Sequence, residues 1–257
     1  MGGIFHKLRH TRRCYVVCAI ARSGSNLLTD GLHETRRAGR PKQFFLRKYE
    51  REYALKSGLD PDDFASYVRG IIPATATSNE VFGFKLMGWY LQEFLARLRE
   101  TRAFGGGSVD QDLEMLRNAF PALQFIQIVR RNKIRQAVSK ARAAQTGLWK
   151  VQEGNAASGE PEFDFDLIAS CLEDTRREEM IWDRFFERSG AQPFRIEYED
   201  LSENYAQNIG AVLQFLKIRA PRRALLRPVT VRQTDALSRE WEERFLALQS
   251  PNEFAIS

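Results

Sequence analysis

Cysteine is sparse: Cys14, Cys18 and Cys171 are the whole complement of the 257-residue chain. Their odd count and spacing supply no metal-ligand pairing, so no metal is expected. The Cys14/Cys18 pair lies in an apolar run where buried, reduced thiols are the natural reading, and a reducing cytoplasm fits. Long apolar runs are missing too, since no stretch approaches the ~18 uninterrupted apolar residues of a membrane span. The opening MGGIFHKLRHTRR is basic and the following CYVVCAIA is apolar, but that run is short for a secretory signal. His6 stands where myristoylation needs serine or threonine. A cytoplasmic chain without a transmembrane segment is therefore expected, with peripheral membrane contact left open.

What is present reads as an ordinary globular protein, 43% hydrophobic and 28% charged, with a formal net charge of +6. The positive balance favours an anionic partner: nucleic acid, a membrane surface or a phosphorylated small molecule. Short runs rich in β-branched and aromatic residues predict strands at Tyr15–Ile20, Val81–Leu86, Phe125–Val129 and Phe194–Glu197. Amphipathic stretches predict helices at Asn26–Thr35, Pro61–Ile71, Trp89–Arg102, Asp110–Ala119, Ile134–Thr146, Leu167–Arg188, Tyr205–Leu216 and Ser238–Leu248. Strands separated by helices predict an α/β fold, a central mainly parallel sheet flanked by helices. Two polar or glycine-rich stretches, 104–108 and 152–162, read as mobile loops within one domain spanning 1–257.

Two segments carry chemistry. In parallel α/β sheets ligands bind beyond the carboxyl ends of the strands, and Arg22-Ser23-Gly24-Ser25-Asn26 falls there, between the first strand and a helix. Gly24 lets the backbone approach a ligand, free N–H groups at the helix start point outward, and Arg22 adds charge: an anion cradle. A serine-capped helix after a tight turn is the plainer alternative. The nucleotide P-loop pattern G-x-x-x-x-G-K-[ST] is not met, because a second glycine and the lysine are missing. The second segment, FIQIVRRNKIRQAVSKARAAQTGLW, places six basic residues within Arg130–Arg142, starting at the carboxyl end of a strand. A solvated helix face and a nucleic-acid-binding helix are both open readings. Two anion grips at one sheet edge suggest instead one ligand with two separated anionic groups.

With those residues in view, the chain resembles the bacterial trehalose sulfotransferase-like family over nearly its whole length. ARSGSNLL is similar to the family's phosphosulfate loop, GRPKQFF to its G-x-P-x-E-F-F segment and FGFKLM to its G-x-K-L-M strand. RRNKIRQAVSKARAAQTGLW, YEDL and RQTDALSREW match its later motifs in order. The resemblance implies a P-loop-like three-layer fold and 3′-phosphoadenosine 5′-phosphosulfate as donor. It implies that Arg22, Ser23, Gly24, Ser25 and Asn26 hold the 5′-phosphosulfate, and that Arg130 or Arg131, with Ser139, holds the 3′-phosphate. Tyr198, Arg232 and Gln233 are candidates for the adenosine half, Tyr198 equally for a structural role.

Because sulfuryl transfer develops charge on the leaving phosphate oxygen, positioning and electrostatics should dominate catalysis. Arg22 is the natural charge stabiliser and Lys85, at a strand end, the second. The chain departs from the pattern at Gln43, where the family carries a glutamate as general base; His33, Asp30 or Glu34 are other candidates for the proton. Arg142, Gln145, Thr146 and Trp149 are candidates for a saccharide or glycolipid acceptor, with core packing equally open for Trp149. The aromatic QFFLRKYEREY reads as an entrance lining or a homodimer contact. Two other functions stay open: a nucleotide-binding protein silenced by Gln43, and a nucleic-acid-binding protein using Arg130–Arg142.

Overall fold

The computed structural model describes residues 13–149, 159–219 and 236–249. Strands β1 (Arg13–Ala19), β2 (Val81–Met87), β3 (Gln124–Val129) and β4 (Phe194–Glu197) form one sheet in the order β2-β1-β3-β4. Every pairing is parallel. Strands β1, β2 and β3 are nearly continuous runs of buried residues, Cys14 to Ala19 and all of β2 included, as a sheet covered on both faces requires. Each expected strand is present, its ends within two residues of the expected ones.

The helices are α1 (Ser25–Glu34), α2 (Arg47–Lys56), α3 (Phe64–Thr75), α4 (Gly88–Thr101), α5 (Asp112–Ala119), α6 (Lys133–Thr146), α7 (Phe165–Ser189), α8 (Tyr198–Glu203), α9 (Tyr205–Phe215) and α10 (Ala236–Gln249). Helix α1 packs against α9, and α4 against α7. Two helices, α2 and α8, were not expected from the sequence. The start of α3 also moves: Pro61 lies outside it, and Asp63 caps it by accepting from the Ser66 N–H.

A phenylalanine-rich core fills the space between β2 and its helices. Phe45 is at its centre, ring to ring with Tyr67, Phe84, Phe94 and Phe120. Phe44 and Phe45 are both buried, so the start of QFFLRKYEREY is core and does not line an entrance. The same residues cover the edge of the sheet: Lys42 bridges Phe84, and its carbonyl accepts the Lys85 N–H at 2.9 Å. A second cluster joins α6, α7 and α10 through Val138, Ile168, Leu172, Trp241 and Phe245. The three cysteines are buried free thiols, and burial pushes Cys14 up to about 12, which keeps it protonated and unreactive. Among the described residues no helix is long and apolar enough to cross a membrane. Phe104–Ser108 connects α4 to a 3-10 turn without regular structure of its own, and 152–158 lie outside the described residues.

Candidate active site

The loop from Ile20 to Gly24 leaves the carboxyl end of β1 and turns directly into α1. Arg22 and Gly24 both have positive φ, +59° and +86°. The turn is closed from inside: the Ser23 hydroxyl, fully buried, donates to the Ile20 carbonyl at 2.9 Å. Ser23 therefore presents backbone, not its side chain, to the outside. Two neighbours, on α6 and α7, fix the loop. Gln136 on α6 donates to the Ala21 carbonyl at 2.7 Å, and the Trp182 indole on α7 donates to Ala19 at 3.0 Å. Neither was singled out from sequence; a glutamine beside the apolar Ala137 and Val138 was the available signal.

Helix α1 begins without a side-chain cap and without an acidic residue in its first turn. Its leading N–H groups and the positive end of the helix dipole therefore face outward as an anion site. Lys85, only 6% exposed, reaches across from β2 to the same helix start. Its Nζ donates to Asn26 Oδ1 at 2.8 Å and lies 3.5 Å from Ser25 Oγ. The lysine, the glycine turn and the two polar side chains of α1 form one cluster.

Arg22 bridges this cluster to α6. Its Nε donates to Ser139 Oγ at 2.9 Å and its Nη1 to the Trp149 carbonyl at 2.7 Å. Arg130, one residue beyond β3 and 7% exposed, donates from Nη1 to the Arg22 carbonyl at 3.4 Å. The guanidinium of Arg130 lies over the Tyr198 ring, 4.8 Å from its centroid. Its Nε is buried with no hydrogen-bond partner among the described residues. Tyr198 in turn presses on the loop: a Cβ built on Gly24 would sit 2.3 Å from Tyr198 Cδ2. Burial, and then the charge of Arg130, pulls Arg22 down to about 10, and burial lowers Arg130 as well. Both stay charged at neutral pH, two like charges held together, Arg130 buried and Arg22 half-buried. Such a pair favours an anion beside it.

Gly24→Ala tests this packing. Positive φ at a non-glycine residue costs roughly 1–3 kcal/mol, and the methyl group would drive Tyr198 off the loop. At ~2–4 °C per kcal/mol for a chain of this size, thermal melting should fall by several degrees, and anion affinity should fall with it. An unchanged melt would show that the loop relaxes without disturbing Tyr198.

The structure separates the remaining candidates. Arg131 is exposed and faces away, ion-paired at 2.7 Å with both Glu197 and Asp200. His33 occupies the last turn of α1 and is exposed; the helix rise of ~1.5 Å per residue puts it about 12 Å along from the loop. Gln145 exchanges hydrogen bonds with the backbone of Glu162, and Thr146 closes the end of α6 on the Arg142 carbonyl. Arg142 donates to Ser238 on α10. Trp149, 49% exposed, stands beside Arg22. Gln43 is half-buried, one residue after the Lys42 that pairs with β2. Arg232 and Gln233 lie outside the described residues. The other basic side chains of α6 meet acidic partners, Lys133 with Glu179, Arg135 with Glu242 and Lys140 with Asp174 and Glu178. The segment thus lays out no continuous basic face of the kind a phosphate backbone needs.

Fold and site together define a parallel α/β protein with Arg22, Lys85 and Arg130 gathered around the uncapped start of α1. Residues 14–247 match the Stf0 sulphotransferase family, and the chain belongs to that family of sulfotransferases. It is 30% identical to the trehalose 2-sulfotransferase of Mycolicibacterium smegmatis over 90% of this chain and 93% of that one. It is 28% identical to the trehalose 2-sulfotransferase of Mycobacterium tuberculosis, over 91% and 95%. Among solved structures, the sulfotransferase domain of the Synechococcus PCC 7002 olefin synthase matches 93% of this chain and 89% of its own, with 13% identity and a TM-score of 0.47.

Proposed function

We propose that this protein transfers a sulfuryl group from 3′-phosphoadenosine 5′-phosphosulfate to a hydroxyl of a saccharide or glycolipid. The observation that carries the donor assignment is the contact between the two grips: Arg130 donates to the carbonyl of Arg22, so both arginines serve one ligand. The buried, unpartnered Nε of Arg130 and the Gly24 cradle fit a nucleotide with anionic ends on both sides. In this reading the open start of α1, Lys85 and Arg22 hold the 5′-phosphosulfate. Arg130 and Ser139 take the 3′-phosphate, and Tyr198 keeps Arg130 in place from below. Arg131 is set aside, since its charge is already matched by two carboxylates.

Bound at this edge, the donor supplies an activated sulfuryl group whose departure leaves charge on a phosphate oxygen. Arg22 and Lys85 are fixed before that charge appears, by Ser139 and the Trp149 carbonyl in one case and by Asn26 in the other. Prearranged donors of this kind stabilise developing charge without reorganising. Arginine remains protonated throughout and moves no proton. The saccharide assignment rests on the names of the two mycobacterial relatives, and the indole of Trp149 offers a face for a sugar ring beside Arg22. Gln43 supports a second reading, a donor-binding protein with feeble turnover.

The test of the donor is a pair of thermal melts. A ligand at 100 times its Kd stabilises by ~2.7 kcal/mol, which at ~2–4 °C per kcal/mol raises melting by about 5–10 °C. Saturating 3′-phosphoadenosine 5′-phosphate should give that shift. Adenosine 5′-phosphate, lacking the group assigned to Arg130, loses a charged contact of ~1.5–3 kcal/mol and should give half of it or less. Equal shifts would remove the 3′-phosphate assignment. Trehalose, with labelled donor, is the first acceptor to assay.

A further inference from the structure

The two helices that begin at this sheet edge are finished in opposite ways. Helix α1 starts bare, with no acid and no side-chain cap. Helix α6 starts filled. Both oxygens of Glu199 are spent on it: Oε2 accepts from the Arg131 N–H at 3.0 Å and Oε1 from the Asn132 N–H at 3.2 Å. Asn132 caps the helix by accepting from the Arg135 N–H at 2.8 Å, while its amide group and the Arg135 guanidinium both donate to Glu242. The chain's own carboxylates thus occupy the end of α6 where a phosphate could otherwise dock. A second anion there would meet repulsion in place of free N–H groups.

Glu199 also fixes what lies on either side of it. The residue before it, Tyr198, is the ring between Gly24 and Arg130. The residues it holds, Arg131 and Asn132, directly follow Arg130. One carboxylate therefore ties the β4–α8 corner to the β3–α6 corner, with Arg130 and its supporting ring clamped between them. Burial alone would raise the Glu199 carboxyl, but N–H bonds from Arg131, its own backbone and Asn132, with the nearby charge of Arg130, hold it below the usual carboxylate range. It stays an acceptor at working pH.

We propose that Glu199 is a positioning residue for phosphate discrimination: by filling the start of α6 and locking the Arg130–Tyr198 pair, it leaves the Arg130 side chain to read the donor's 3′-phosphate. This rests on the donor assignment above, and the experiment separates the two. Kd values for 3′-phosphoadenosine 5′-phosphate and adenosine 5′-phosphate are measured by calorimetry for wild type, Glu199→Ala and Glu199→Gln. Wild type should prefer the bisphosphate by about 10–100-fold, as expected of a charge-assisted contact. In Glu199→Ala the preference should shrink to within about threefold, with adenosine 5′-phosphate affinity nearly unchanged, because the α1 end of the site does not depend on Glu199. Glu199→Gln keeps one acceptor oxygen and should fall between, which decides the matter if the alanine variant does not fold. In turnover the donor KM should rise more than kcat falls. A variant that retains the wild-type preference, or weakens both nucleotides equally, overturns the proposal. A wild type without any preference overturns the donor assignment itself.

Discussion

Exchanging Arg22 for methionine should lower the rate of sulfuryl transfer by about 10²–10³-fold, the usual cost of deleting one prearranged donor from a site of developing charge. The fold should survive the change. Arg22 donates to Ser139 and to the Trp149 carbonyl, and the loss of those bonds is unfavourable. Against this, the arginine is half-buried beside Arg130, and its pKa is drawn down to about 10. A cation whose folded pKa lies below its unfolded value opposes folding at neutral pH, and that opposition lifts only as the pH rises past about 10. Methionine removes the penalty together with the bonds, so the ligand-free melting temperature should move little. Steady-state transfer with labelled donor, run beside thermal melts, separates the effects. A near-normal rate would shift the stabilising role to Lys85; a collapsed melt would make Arg22 a structural bolt. Lysine is not a conservative control, since one ammonium cannot reproduce the planar contacts to Ser139 and the Trp149 carbonyl.

That this arginine could be singled out from sequence is itself physical. The loop's composition is local: a positive-φ glycine, small polar residues and one cation sit within five positions, and each has its own reason to be there. Strands β1, β2 and β3 were equally legible because burial on both faces leaves a nearly unbroken apolar run. The same property hid the choice between Arg130 and Arg131. Where both faces are buried, alternation no longer says which of two successive residues points inward. In the fold, Glu197 and Asp200, acids on β4 and α8, draw Arg131 outward. Helix α2 was missed because RKYEREYALK has almost no apolar stripe; its buried members are Glu50 and Ala54. What fastens it is the paired contact of Glu50 with Arg97 on α4, at 2.6 and 2.7 Å, a partner 47 positions away. Helix α8 is six residues long, too short for periodicity to register. The basic run on α6 resembled an open charged face for the same reason: its partners Glu179 and Glu242 lie on other helices, far along the chain.

Gln43→Glu should raise kcat, by as much as the ~10²–10⁴-fold that a placed general base contributes. The position is well suited to carry the substitution. Lys42 pairs with β2 through Phe84 and the Lys85 N–H, and Phe44 and Phe45 are rooted in the aromatic core. Residue 43 is therefore held beside the strand that delivers Lys85, and glutamate has the shape of glutamine. The amide there cannot take a proton from an attacking hydroxyl; a carboxylate can. The pH dependence gives the diagnostic sign. Only the ionised carboxylate acts as base, so the variant's rate should fall as pH drops through the carboxyl pKa, ~4.3 when unperturbed. Wild type has no titrating group at 43 and should lack that acid limb. Labelled-sulfate transfer across the acid range, wild type against variant, reads both features together. Should the two profiles coincide in height and shape, the proton leaves by another route and residue 43 is no part of it.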